Sequence, residues 1–419
     1  MGGTPHTPTR ARPAWLTAPV LLVSVLSVAT GIAMFSVTAV IGDVAATFGA
    51  PTDGDDPAAQ IGLPATTVGI ALTIIRLSSL GSLPAAALAD QLGRRRLLLL
   101  MVTIGLGLTA LAAASPGFWW YVALVSLSRP ALSTVNALAG VVAAEESKAS
   151  DRTAAIALIT AAYGIGSGIV SVGRGLLPGE PSFRVVTAFV LVPLVLLPLI
   201  ARGIREPRIA QSARLAQGMP GAVPRGYRRN VAIVALLAGG IALATGPGFT
   251  YLFVYGERIL GASPLYLSML VVAAGPTGLA GLLFGRWAAD HLGRRITAGA
   301  MMATTGLAVL FGYSAGTGEL AVGYLGTIFA ASAFAPAEGA IAAELVPTRV
   351  RATMAGWMTV CGVLGASIGL TVVGVLADVT GSFATATATI GIAVVVSALG
   401  FATVPETKGT ELESLESAD

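Results

Sequence analysis

Three ionisable residues stand inside long apolar runs of this 419-residue chain: Arg76, Arg129 and Glu338. Charge is expensive where water is scarce, so residues of this kind are functional candidates by default. Two guanidinium groups against one carboxyl leave a net positive site, which suits a ligand bearing a carboxylate. A lone carboxyl in a nearly uncharged helix suits reversible proton uptake. Asn136, Tyr163, Tyr251, Tyr255 and Trp357 lie in similar runs and offer hydrogen bonds or stacking. Other chemistry has little support. The one cysteine, Cys361, has no partner for a disulfide, and the two histidines, His6 and His291, do not cluster with it. A structural metal, a Cys/His nucleophile, a cofactor and an enzymatic activity are therefore not expected.

The elements that must hold these residues are membrane helices. Hydrophobic residues make up 55% of the chain and charged ones 11%, with mean hydropathy +0.82. A soluble domain carries about 25% charged residues. Apolar runs long enough to span a bilayer recur from Pro19–Val40 to the end, and twelve spans are expected at about 15–41, 63–88, 97–114, 118–143, 153–173, 183–202, 230–255, 264–288, 296–314, 319–343, 352–376 and 382–404. The first run is too long for a removable signal peptide. With the amino terminus inside, the inner segments hold 20 of the 25 basic residues, and the outer ones only Arg174, Arg184 and Arg258. This positive-inside pattern predicts a cytoplasmic membrane protein with both termini cytoplasmic. Asp43 and Asp378 fall near outer helix ends and are expected to be solvated. The "FTYLFVYG" stretch in the seventh span reads equally as an outer gate or as an interfacial aromatic belt.

Two loops are written twice. "ALADQLGRRR" places Asp90, Gly93 and Arg94 after the second span, and "AADHLGRR" places Asp290, Gly293 and Arg294 after the eighth, with 290 − 90 = 200. "AAEESKASDRTA" sets Glu145 seven residues before Arg152, and "AAELVPTRVRAT" sets Glu344 seven before Arg351, with 344 − 145 = 199. One offset shared by two independent loops predicts two related halves. The expected organisation is a bundle at 1–202, an Arg-, Gly- and Pro-rich cytoplasmic linker at 203–229, a second bundle at 230–404 and a tail at 405–419. The linker arginines read as topology signals and lipid-headgroup contacts.

These loops resemble those of the major facilitator superfamily, whose inner loops read Gly-x-x-x-Asp-x-x-Gly-Arg-Arg/Lys. Ala86 and Arg286 replace the leading glycine here. The tail "VPETKGTELES" and the loop "AELVPTRVRAT" resemble the sugar-porter and general metabolite branch, and "REPR" after the sixth span is a weaker echo of it. The resemblance covers nearly the whole chain. It implies an all-α membrane protein of about twelve transmembrane helices in two pseudo-symmetric six-helix bundles, with the first, fourth, seventh and tenth helices lining a central cavity. Arg129 resembles an arginine of the branch's fourth helix, set about one turn closer to the Glu145 loop. Glu338 follows Pro336 in "FAPAEG", where Gly339 stands in place of a sugar-contacting tryptophan. No Gly-Pro-x-x-Gly-Gly run follows Gly164, and no Gln-rich run occurs in 230–255.

The expected function is secondary active transport of a small organic solute, an anionic metabolite, by proton-coupled alternating access. The alternatives are a drug or sugar efflux antiporter and a non-transporting receptor. Partners are the solute, protons and the bilayer, with no nucleic acid, and the chain is expected to act as a monomer. The doubled loops are expected to form a cytoplasmic gate of Asp90, Gly93, Arg94, Glu145, Arg152, Asp290, Gly293, Arg294, Glu344 and Arg351. Its aspartates would cap helix N-termini, and its Arg–Glu pairs would latch the inner side while the outer side is open.

Overall fold

A computed structural model describes residues 17–49, 51, 54, 56–148, 151–179, 182–204, 223 and 225–408. Within these, 12 helices are long and apolar enough to cross a membrane: α1 Ala18–Gly49, α2 Ala65–Ala87, α3 Arg94–Ala112, α4 Phe118–Glu145, α5 Ala154–Leu176, α6 Phe183–Gly203, α7 Arg225–Thr250, α8 Pro264–Leu292, α9 Arg294–Gly312, α10 Thr317–Glu344, α11 Thr353–Thr380 and α12 Phe383–Thr403. No strand occurs among the described residues. The face where α1 begins and α12 ends is called terminal here, and the opposite one distal.

Helices suit this composition because each satisfies its backbone within one segment, the requirement that a bilayer imposes. Side-chain hydroxyls follow the same rule. Thr109, Thr134, Thr305 and Thr327 each donate to the carbonyl four residues back, at 2.7–2.8 Å. Large apolar side chains point outward as well as inward: Val195 is 75% exposed and Val379 77%. In water such a surface would be a liability, whereas in lipid it is solvated.

The halves repeat in packing as they do in sequence. In the first, α1 packs on α5 and α3 on α4 and α6. In the second, α7 packs on α11 and α9 on α10 and α12. The close crossings rest on matched glycines. A side chain at Gly166 on α5 would clash with the Val28 carbonyl of α1, and one at Gly365 on α11 with the Gly239 carbonyl of α7. Their separation, 365 − 166 = 199, is the loop offset again. Small residues at such crossings let membrane helices approach closely. The halves meet where α2 packs on α11 and α5 on α8, two contacts related by the same repeat.

Helix ends differ from the expected bounds by up to eight residues, most at the first and seventh spans, the seventh ending at Thr250. The first span runs to Gly49 because apolar residues continue past Asp43, so Asp43 lies within a helix. Arg225–Tyr227 form a turn of 3₁₀-helix and Arg228 begins the α-helix, so the end of the expected linker belongs to α7. Residues 205–222 of that linker, the "REPR" echo and the tail beyond 408 lie outside the described residues.

Candidate functional site

The centre of the molecule holds the two arginines. Arg76 lies midway along α2 and Arg129 midway along α4. They are near enough to repel one another, and Tyr163 of α5 lies near both. Neither side chain makes a hydrogen bond or ion pair with a described residue, and the Nε of each is buried without a partner. Asn136, two turns further along α4, is tied to α1: the Thr30 hydroxyl donates to its Oδ1 at 2.7 Å. Three helices of the first half, α2, α4 and α5, thus carry a positive centre, with the α1–α4 contact at Asn136 about 10 Å closer to the terminal face. Charge held away from bulk water is costly without a partner, and no described residue pairs with either guanidinium.

Glu338 stands apart from it. Its Oε1 is buried and unpartnered, and no pair with Arg129 forms. The reason is depth. Arg129 lies 129 − 118 = 11 residues from the distal start of α4, and Glu338 lies 338 − 317 = 21 from the distal start of α10. Ten residues of helix are about 15 Å.

Three other candidates are not brought to the centre. Tyr251 is fully buried, and its hydroxyl donates to the Leu370 carbonyl at 3.0 Å. Tyr255 donates to the Tyr313 carbonyl at 3.2 Å. Both pack with Phe383 in a distal aromatic cluster of the second half, so their polar ends are already used. Burial pushes the phenols of Tyr255 and Tyr313 above the ordinary tyrosine range, so both remain neutral donors. Trp357 is 37% exposed and lines an apolar pocket with Val231, Ala235, Leu236 and Cys361.

At the terminal face the doubled loops take matching forms. Gly93 and Gly293 have φ of 83° and 105° and join α2 to α3 and α8 to α9. A left-handed backbone explains why glycine recurs there. Arg94 pairs with Glu145 at 2.5 Å, and Arg294 with Glu344 at 3.5 Å. Arg152 Nε donates to the Ala144 carbonyl at 3.2 Å and Arg351 Nε to the Ala343 carbonyl at 3.0 Å. The echoed arginines therefore bind last-turn carbonyls of α4 and α10, where a cation complements the helix dipole. Both Arg–Glu pairs run within one half and stand formed while the distal side is closed. The pairs themselves do not tie half to half, and the side chain of Asp90, also expected in this gate, lies outside the described residues.

The capping acid at α9 also differs from expectation. Asp290 makes a long 3.7 Å pair with Arg294 one turn on. The N-terminus of α9 is instead capped by Glu406 from the tail, which accepts from the amides of Arg294 at 2.9 Å and Arg295 at 3.2 Å. Lys408 completes the tie by donating to the His291 carbonyl at 2.9 Å. The Pro-Glu-Thr-Lys-Gly resemblance was the available signal for this contact. A Cβ at Gly293 would stand 2.6 Å from the Glu406 carboxylate. Gly293→Ala is expected to cost about 1–3 kcal/mol through backbone strain and to lower the thermal midpoint in detergent. An unchanged midpoint would contradict this account of the loop.

Sequence reasoning missed the densest polar cluster, which lies at the distal side. Arg174 of α5 pairs with Asp43 of α1 at 2.6 Å and makes a two-pronged contact with Glu257. Arg258 reaches Asp43 at 2.8 Å. Asp43 is 7% exposed, so the expectation that it is solvated fails: two arginines distant in sequence pair with it. Asp378 is likewise engaged, accepting from the amides of Ala65 and Thr66 at 2.8 Å each.

Comparison with known proteins agrees with this architecture. The sequence model of the Major Facilitator Superfamily matches residues 21–287 and 258–418. A probable 4-methylmuconolactone transporter of Cupriavidus pinatubonensis is 23% identical over 379 residues, covering 85% of this chain and 86% of that protein. Among solved structures, the inward-open xylose transporter XylE from E. coli gives a TM-score of 0.71 at 14% identity, covering 95% of this chain and 98% of that one. The nucleoside transporter NupG gives 0.72 at 14% identity, covering 92% and 99%.

Proposed function

The chain belongs to the Major Facilitator Superfamily and is a multi-pass membrane transporter of small solutes, and on that premise we propose that it moves an organic anion by proton-coupled alternating access. The observation that carries the anionic substrate is the pair of unpartnered guanidinium groups, Arg76 and Arg129, at mid-membrane beside Tyr163. A carboxylate entering this centre gains charge-assisted hydrogen bonds where water does not compete. The positive-inside distribution supports a terminal face in the cytoplasm and a distal face outside, in the cytoplasmic membrane.

The two six-helix halves, joined through 203–229, rock about this centre, and one chain suffices for the cycle. Gly93 and Gly293 shape the cytoplasmic loops, while Arg94–Glu145 and Arg294–Glu344 brace each half so that it moves as a unit. Glu338 lies between the centre and the cytoplasmic face and is the proposed proton carrier, making the protein a symporter. Reconstitution in liposomes with a panel of labelled metabolites, 4-methylmuconolactone included, tests the reading. Accumulation of an anionic compound above equilibrium, only under a pH gradient, is expected. Saturable binding without flux would favour a receptor instead.

A further inference from the structure

The cluster of Asp43, Arg174, Glu257 and Arg258 has a geometry that the substrate site does not explain. The four charges alternate in the order Glu257, Arg174, Asp43, Arg258. Asp43 and Arg174 belong to the first half, Glu257 and Arg258 to the second. Among the described residues, two of the three ion pairs therefore cross between halves: Arg174 to Glu257, and Asp43 to Arg258. The third, Arg174 to Asp43, stays within the first half. Side-chain exposure runs from 1% at Arg174 to 17% at Arg258, so the cluster is closed to the distal solution.

The surrounding fold is shaped to admit it. Val254–Ile259 form a turn of π-helix three residues beyond α7, and this turn carries both Glu257 and Arg258 to the other half. Such turns recur at functional positions because they re-aim side chains. Phe253, just before it, lies under the Arg174 guanidinium at 5.3 Å. Near the cluster, the Ser268 hydroxyl of α8 meets the Ser171 carbonyl of α5 at 2.5 Å.

The charge balance distinguishes a reversible closure from a permanent brace. Joined, the four described charges sum to zero and tolerate exclusion of water. Parted, each half leaves with one acid and one base, so separation strands no net charge on either side. The first half even retains its internal Arg174–Asp43 pair. A cluster that only stabilised the fold would not need this division.

We propose that Asp43, Arg174, Glu257 and Arg258 form the extracellular gate of the transport cycle, closing when the two cross-half pairs form and opening when they part. The proposal rests on the alternating-access reading but not on the identity of the substrate. Its test uses no substrate and no gradient. Spin labels are placed at Ala114 and Ala315, exposed on distal loops of opposite halves, and separately at Leu92 and Leu292, exposed at the terminal face, in a Cys361→Ser background of the full chain. Glu257→Gln and Arg258→Gln are expected to lengthen the distal distance and shorten the terminal one, the reciprocal change that rocking requires. Arg174→Gln is expected to do so most strongly. Unchanged distal distances in Glu257→Gln and Arg258→Gln would overturn the proposal. So would simultaneous broadening of both distances, since the cluster would then hold the fold together and not gate it.

Discussion

Arg129→Ala is expected to weaken substrate binding by roughly 30- to 5,000-fold, the effect of removing one partner of a desolvated charge pair worth about 2–5 kcal/mol. Arg129→Lys keeps the charge but loses the planar fork that grips a carboxylate at two points. Its loss is expected to be smaller than that of alanine but still large. Arg76 shares the centre with Arg129 and lacks any described counter-charge, so Arg76→Ala should weaken binding in the same direction. Isothermal titration of purified protein with the transported anion reads all three variants. Wild-type affinity in Arg129→Ala would remove that residue from the site.

Glu338→Gln is expected to abolish accumulation driven by a pH gradient while leaving exchange at equal pH intact. The carboxyl lies six residues before Glu344, about 9 Å from the terminal end of α10, and its Oε1 has no described partner. A group so placed can exchange a proton with the cytoplasmic side and still respond to a change of state. Each state that binds the proton with a different affinity is shifted by it. Because Arg129 is too distant to be its partner in this conformation, any coupling between the two must arise through movement of the halves. Uptake in proteoliposomes, with and without a gradient, separates the outcomes. If the glutamine variant still concentrates substrate with normal pH dependence, Glu338 is a buried structural residue.

The architecture was legible because its signals are local or repeated. Long apolar runs mark the spans, and the offset of 199 or 200 residues marks the duplication; Gly166 and Gly365 show that it extends into helix packing. The three intramembrane charges were legible as rare residues in apolar surroundings. What remained hidden depends on pairing at a distance. Asp43, Glu257 and Arg258 each look like an ordinary charge near a helix end. Arg174 lies 131 residues from Asp43 and 83 from Glu257, and Arg258 lies 215 from Asp43, with no local pattern to link them. Likewise, Tyr251 and Tyr255 have the right chemistry for a ligand, and only the fold shows their hydroxyls spent on backbone carbonyls. Glu406 was noticed as part of a tail motif, but its target at α9 lies more than a hundred residues away.

A mid-membrane positive centre that selects an anion must distinguish charge from shape. The most direct measurement compares a transported carboxylate with its uncharged amide, matched in size, in wild-type proteoliposomes under an inward proton gradient. The account predicts that the carboxylate accumulates above equilibrium and that the amide neither accumulates nor competes at equal concentration. Equal uptake of the two, or effective competition by the amide, would contradict it, because Arg76 and Arg129 would then not be reading charge.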